Sequence, residues 1–290
     1  MIEKLNKICE TKEEFDLTKY NTYRLNSISK CVVFPSNIDG LKEVLNVVKD
    51  YKHMILGNGS NVILPPYYDG VIIKLDKFNA CELHDDYVYA ECGYMINKLS
   101  MDLVEKGYSG LEWASGIPGT IGGCVYNNAG AYNSSISEIL ISATIYDGKE
   151  IIELNNEEMN FSYRDSILKH NKNLILLSCK LKIVSADKEE LKQIVSERTQ
   201  KRLQTQDLFH PSCGSVFRNP EGVASGKLID DLGLKGFNIN GAMVSKIHAN
   251  FIINDDNATQ EDIVNLINKI KKDVKDAYNI DLVLEQEIIE

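Results

Sequence analysis

Short apolar runs alternate along the chain with stretches whose apolar residues recur at helical spacing. Cys31–Pro35 reads as a strand. Leu41, Val44, Leu45 and Val48 follow at helical spacing, behind a capping signal at Ser36-x-x-Asp39. Strands are expected at Met54–Leu56 and Val62–Leu64, around a Gly-rich turn at Gly57–Ser60, and Pro65-Pro66 marks a candidate boundary. Val71–Leu75 and Tyr87–Glu91 read as further strands, and Ile96–Lys106 as a helix stopped by Gly107. Ser115–Gly130 shows no clean period. Ala143–Tyr146 and Glu150–Leu154 predict a hairpin around Asp147-Gly148, followed by a long strand at Leu174–Val184. Asp187 is expected to cap a helix reaching about Arg202, whose charged outer face suits a connector to a last domain. That domain should hold strands near Ser215–Phe217 and Asn250–Ile253, a helix capped by Thr259-x-x-Asp262, and a final strand through Asp281–Ile289. The mixture gives an α/β or α+β protein, and periodicity alone does not choose between them.

Composition narrows the class. With 290 residues, 43% of them apolar and 26% charged, the chain is long enough for one large or two to three smaller globular domains. A net charge of −10 argues against nucleic acid as a partner, because phosphate neutralisation needs clustered Lys and Arg. An anionic small molecule stays open, since a few local cations and backbone N–H groups suffice for it. The seven cysteines are scattered, odd in number and without C-x-x-C, so neither a disulfide framework nor a zinc site is expected. The charged start Met1–Glu14 lacks an apolar core, and no run of about 18 apolar residues occurs. A cytoplasmic protein without a membrane span is the expectation.

Six segments carry candidate chemistry. Leu56-Gly57-Asn58-Gly59-Ser60-Asn61 could bring backbone close to a ligand or form an anion nest, and equally could be a tight turn. It is neither a dinucleotide fingerprint nor a P-loop, for it lacks their spacing and Lys. Ser115-Gly116-Ile117-Pro118-Gly119-Thr120-Ile121-Gly122-Gly123-Cys124, running on to Asn127-Asn128-Ala129-Gly130-Ala131-Tyr132, is too apolar and too rich in costly glycines for a plain surface loop. Packing of backbone against a flat cofactor explains it better. The remaining four are Phe161-Ser162-Tyr163-Arg164-Asp165-Ser166, Cys213-Gly214-Ser215-Val216-Phe217-Arg218-Asn219-Pro220, the run Gly241–Asn254 with His248, and the tail Leu284-Glu285-Gln286-Glu287. Each has a bland alternative: a surface Arg, a turn Ser, a satisfied His, a solvated acidic face. In an extended tail Glu285 and Glu287 share one side.

Together and in order, these segments resemble UDP-N-acetylenolpyruvoylglucosamine reductases. The pattern comprises an early Asn21-Thr22, the LGxGSN turn, GIPGTIGG followed by NAGAY, YRxS at Tyr163–Ser166, GSxFxNP, then GLKG before S-x-x-HANFIIN, and a terminal LExE. It covers almost the whole chain. The resemblance implies an α+β protein with two FAD-binding subdomains of vanillyl-alcohol-oxidase-like (PCMH-type) fold, over 1–66 and 67–198, and a substrate-binding domain over 199–290. The short span between Gly123 and Tyr163 points to the compact subtype. Departures fall at Arg24-Leu25-Asn26-Ser27, where Gly-Gly is usual, and at Asn133, Arg218 and Ile247.

The resemblance also implies roles. FAD, bound without a covalent link, would take hydride from NADPH and pass it to the β-carbon of an enolpyruvyl ether on a UDP-sugar. Arg164 would face the substrate carboxylate, Glu287 would assist there, and Ser215 would protonate carbon. Gly57, Asn58, Gly59, Ser60 and Asn61, with Ser115, Gly116, Ile117, Pro118, Gly119, Thr120, Gly122 and Gly123, would hold the flavin. Tyr132, Arg164, Arg218 and Asn219 would contact substrate, and the protein would act as a monomer. An oxidase of small alcohols on the same architecture, and a non-catalytic nucleotide-binding module, are the rival readings.

Overall fold

The computed structural model describes residues 1–290, which divide into two compact units. The first comprises Met1–Thr11, Val33–Asn58 and Ile72–Gln200; the second comprises Lys12–Val32, Gly59–Val71 and Lys201–Glu290. Both units therefore collect segments far apart in the chain.

A five-stranded sheet organises the first unit, in the order Ile151–Asn155, Leu140–Tyr146, Ile175–Lys182, Tyr87–Glu91, Cys81–Leu83. Every neighbouring pair is antiparallel. The central strand Ile175–Lys182 is buried over its first five residues, as a strand covered on both faces should be. Helix Ile38–Val48 buries Leu41, Val44 and Val48 along one stripe. Its cap is Asn37, whose side chain accepts from Gly40 N, and not the expected Ser36. Asn and Ser serve equally well at this position, so backbone geometry decided by one residue. Helix Ile96–Glu105 ends as expected before Gly107, which adopts φ +76°.

The second unit folds round a core that joins Tyr23, Leu25 and Ile63 to Val216, Phe217, Ile229, Val244 and Ile252 and to the apolar stripe of helix Gln260–Tyr278. That helix carries the full capping box read from Thr259 and Asp262. Strands Asn238–Ile239, Ala242–Val244 and Ile252–Asn254 pair antiparallel. Antiparallel pairing throughout the five-stranded and three-stranded sheets fits an α+β protein, the choice that periodicity left open.

Two expected strands are not regular. Ser215–Phe217 makes only isolated bridges, Ser215 to Phe251 and Phe217 to Leu284. In the tail only Glu287–Ile288 is a strand, parallel to Val62–Ile63. The tail changes partner: Glu285 N donates to Val216 O, whereas Glu287 N and Ile289 N donate to Asn61 O and Ile63 O. No single neighbour continues long enough for a ladder. Helix Lys188–Thr205 buries only Leu191 and Val195, consistent with its polar sequence. No helix is long and apolar enough to cross a membrane. All seven cysteines are free.

Candidate active site

In the first unit the two Gly-rich segments meet. Asn58 Nδ2 donates to Pro118 O at 2.7 Å. A Cβ on Gly57 would stand 2.8 Å from Thr120 Oγ1, so any larger residue would push the Thr120 side chain from its place. Thr120 caps the short helix Ile121–Tyr126, which the expectation of an irregular Ser115–Gly130 missed. The segment is pinned from below: Ile96 N donates to Gly119 O, Ile121 N to Tyr94 O and Gly122 N to Cys92 O. Gly116, Pro118 and Gly123 remain exposed. A broad backbone surface with few side chains is what a flat, extended cofactor such as FAD needs, and these residues fit it.

Sequence reading missed Lys74 beside this turn. Its side chain is buried, its Nζ donates to Gly57 O, and Asp76 lies 3.2 Å away. Burial pulls its pKa down against the pull of Asp76. The signal was present as a lysine inside the apolar run Val71–Leu75.

Arg164 lies in a tight turn. Ser162 N donates to Asp165 O and Asp165 N to Ser162 O, and Arg164 adopts φ +56°. A non-glycine residue in this region is strained, and such residues gather at functional sites. Its guanidinium donates through Nη2 to Gly130 O at 2.6 Å and through Nη1 to Asn128 O at 3.4 Å, and lies 5.2 Å from the Tyr163 ring centroid. Asn128 Nδ2 holds Ser162 O at 2.8 Å. A pocket of about 290 Å³ opens here, lined by Asn128, Ser135, Ser137, Phe161, Ser162, Tyr163 and Arg164. Asp165 is held below the usual carboxylate range: partial burial pushes it up, but hydrogen bonds from His170 and the Ser166 amide outweigh that.

Tyr132, also in this unit, has φ +55°, donates its hydroxyl to Arg198 O and stacks under the Arg198 guanidinium at 4.8 Å. Asn133 has φ +60°, the left-handed conformation an Asn in place of Gly can adopt.

The second unit holds Ser215 and Glu287. Gly214 turns the chain with φ +70°, and Val216 N then donates to Asn250 O. The buried Asn250 side chain grips Phe217 at both ends, accepting from its N at 3.0 Å and donating to its O at 2.8 Å. On the tail side the buried Gln286 does the equivalent work. Its Nε2 reaches the carbonyls of Cys213, Gly214 and Ser215 at 3.3, 3.3 and 3.4 Å, and its Oε1 accepts from the fully buried Tyr23 hydroxyl at 2.9 Å. Gln286 points inward while Glu285 and Glu287 are half-buried, as alternation along an extended chain requires. Neither Asn250 nor Gln286 was singled out from the sequence. Both sit inside recognised motifs, and their partners are distant along the chain.

The turn Gly59–Asn61 belongs to this unit. Gly59 adopts φ +64°, and a Cβ there would lie 2.1 Å from Tyr20 O. Thr22 N donates to Gly59 O, Thr22 Oγ1 meets Cys213 Sγ at 3.1 Å, and Asn61 Nδ2 donates to Glu285 O. Burial pushes the Cys213 thiol up to about 11. Asn21 braces the preceding loop through Leu17 and Leu25. Arg24, at the start of the segment that departs from the usual Gly-Gly, takes φ +55° and donates to Lys19 O. Arg218 and Asn219 both engage Ser225: the Arg218 carbonyl accepts from its hydroxyl and Asn219 Oδ1 from its N–H. His248 is the satisfied histidine of the bland reading. Its Nδ1 accepts from Asn250 N, it packs on Phe251, and burial holds its pKa down.

Comparison with known proteins adds the following. Residues 189–289 match the family profile "UDP-N-acetylenolpyruvoylglucosamine reductase, C-terminal domain", and residues 29–154 match "FAD binding domain". The chain is 40% identical to the UDP-N-acetylenolpyruvoylglucosamine reductase of Bacillus subtilis (strain 168), over 94% of this chain and 92% of that one. The crystal structure of the UDP-N-acetylenolpyruvylglucosamine reductase from Thermus caldophilus superposes with a TM-score of 0.83 at 27% identity, covering 97% of this chain and 99% of that one. Physcomitrella patens BBE-like 1 shares the fold over 63% of this chain and 44% of its own, with a TM-score of 0.50 at 13% identity.

Proposed function

The chain belongs to the UDP-N-acetylenolpyruvoylglucosamine reductase family, and from that premise we propose that it reduces UDP-N-acetylglucosamine enolpyruvate with NADPH, giving UDP-N-acetylmuramate for peptidoglycan synthesis. FAD, held by the Gly-rich backbone of the first unit, would supply the two-electron chemistry that links NADPH to the β-carbon of the enol ether. The chain's own residues do the rest. Backbone of Gly57–Asn61 and Ser115–Gly123 holds the cofactor. Addition of hydride pushes charge onto the substrate carboxylate, and a fixed guanidinium stabilises it there. Arg164 is that cation, because its turn and the Gly130 carbonyl fix its orientation before substrate arrives. Ser215 Oγ gives a proton to the adjacent carbon, on a segment clamped by Asn250 and Gln286. Glu287 assists at the carboxylate, while Tyr132, Arg218 and Asn219 contact the nucleotide sugar.

The left-handed, carbonyl-anchored Arg164 is the observation that carries the site assignment. Exposed Arg24 shares the positive φ, but Arg164 combines it with a two-carbonyl grip at the edge of a pocket. In this reading 1–66 and 67–198 form the flavin-binding part and 199–290 the substrate-binding part, in a cytoplasmic monomer. The test is an absorption spectrum of the purified protein, then NADPH oxidation with and without the enolpyruvyl nucleotide. A flavin spectrum with substrate-dependent NADPH oxidation is expected. Oxygen consumption with a small alcohol, and none of the former activity, would overturn the assignment.

A further inference from the structure

Lys169 has no role in the chemistry above, yet its ammonium ties together both parts of the Arg164 anchorage. Its Nζ donates to the Arg164 carbonyl at 3.0 Å and to Asn127 Oδ1 at 2.6 Å, and lies 5.3 Å from the Tyr126 ring centroid. Asn127 leads directly into the loop whose Asn128 and Gly130 carbonyls take the Arg164 guanidinium. One cation thus grips the Arg164 backbone and, through Asn127, the start of the loop that aims its side chain. The hydrogen bond to the Arg164 carbonyl acts on the residue whose φ of +56° the chain would otherwise relax.

The support under Lys169 is itself fixed. It lies on the short helix Ile167–His170, preceded by Ser166, whose hydroxyl donates to Tyr126 O at 2.7 Å while Ile167 N donates to Met159 O. A flexible lysine on a loose loop would not define a geometry. A lysine on a pinned turn of helix, holding two acceptors on different segments, does.

We infer that Lys169 is a positioning residue for Arg164, holding its backbone and its carbonyl cradle in register so that the guanidinium meets the substrate carboxylate correctly oriented. This deepens the proposed function and rests on its assignment of Arg164. The ammonium need not touch substrate. Its removal loosens the anchorage, and loss of orientation of this kind costs up to about a hundredfold when a group shifts by roughly 1 Å.

The experiment uses the flavin-loaded full chain and four variants: Lys169→Met, Lys169→Arg, Asn127→Ala and Arg164→Ala, with the double variant Arg164→Ala/Lys169→Met. Flavin reduction by NADPH and its reoxidation by the enolpyruvyl nucleotide are timed separately by rapid mixing, and nucleotide affinity for the oxidised protein is measured by calorimetry. Lys169→Met should slow reoxidation about 10–100-fold, leave reduction by NADPH within about twofold, and weaken nucleotide binding less than it slows the reaction. Lys169→Arg should recover part of the loss, since it keeps a cationic donor. Asn127→Ala should weaken the same step by a smaller factor, and gives a second reading if Lys169→Met folds poorly. In the Arg164→Ala background the Lys169→Met change should cost nothing further, because its effect passes through Arg164. Equal slowing of both half-reactions, or undiminished loss in the double variant, shows a general structural role and overturns the inference. Parent-like reoxidation by Lys169→Met, with Arg164→Ala severely impaired, also overturns it while leaving the Arg164 assignment standing. A parent-like Arg164→Ala removes that assignment and the inference with it.

Discussion

Replacing Gln286 by Leu should destabilise the second unit and slow proton delivery at Ser215. The side chain is 3% exposed, so nothing from solvent can substitute for its bonds. The Tyr23 hydroxyl, fully buried, would lose its acceptor, which costs about 1–3 kcal/mol for a buried group left unpaired. The three carbonyls of Cys213, Gly214 and Ser215 share one donor at 3.3–3.4 Å, and these long bonds together contribute about 1 kcal/mol. Leu restores part of the apolar packing, so a loss of about 2–4 kcal/mol is expected. Urea unfolding of the flavin-loaded protein, followed by far-ultraviolet circular dichroism, measures it. Tyr23→Phe removes the hydroxyl and should by itself cost about 1 kcal/mol. The double variant should be less destabilised than the sum of the two changes, because they share one hydrogen bond. A Gln286→Leu loss below about 0.5 kcal/mol, the range of ordinary surface changes, would refute the reasoning.

Ser215→Ala should leave reduction by NADPH unchanged and slow reoxidation by the enolpyruvyl nucleotide by about 10²–10⁴-fold, the usual contribution of a placed general acid; a folded, flavin-loaded variant reoxidising at the parent rate would assign the proton elsewhere. Gly59→Ala should fold poorly and lose flavin, since its Cβ would collide with Tyr20 O and the residue holds φ +64°; flavin content after purification reads this out, and full loading would contradict the packing described. Burial pushes Cys92 and Cys124 up to about 12 and Cys213 up to about 11, from the ordinary 9.0. Raised values favour the neutral thiols of the folded state, so their stabilising contribution is complete below pH 9 and disappears as pH climbs towards 11–12. The urea midpoint should fall across that window, and a midpoint unchanged to pH 11 would show these thiols are not held neutral by burial. Acid treatment should release FAD into the supernatant; flavin retained on the denatured chain would mean a covalent bond.

What could be read in advance was local. Thr259 and Asp262 announce their capping box because both partners lie within one turn, and the hairpin about Asp147-Gly148 rests on a two-residue signal. Gly57 and Pro118 could be recognised as belonging to backbone-rich segments, but not that Asn58 and Thr120 join them, since that contact spans 60 residues. The tail resisted prediction for the same reason. Its strand-like sequence is shared between Val216–Arg218 and Asn61–Ile63, and period-two alternation cannot show a change of partner. Gln286 looks like a polar residue in an acidic tail until Tyr23, 263 positions earlier, is found beneath it. Arg164 gives no sign of its left-handed backbone, because a residue type that rarely adopts that conformation is held there entirely by its surroundings.

Anaerobic single turnover puts the proposed reaction to the proof. The flavin-loaded protein is reduced with one equivalent of NADPH, freed of nicotinamide nucleotide, and mixed with UDP-N-acetylglucosamine enolpyruvate in the absence of oxygen. Flavin absorbance should return in one phase as the nucleotide sugar gains two hydrogens, seen by mass spectrometry as one product per flavin. Flavin that stays reduced while the enolpyruvyl nucleotide is recovered unchanged would contradict the assignment of this chain's activity.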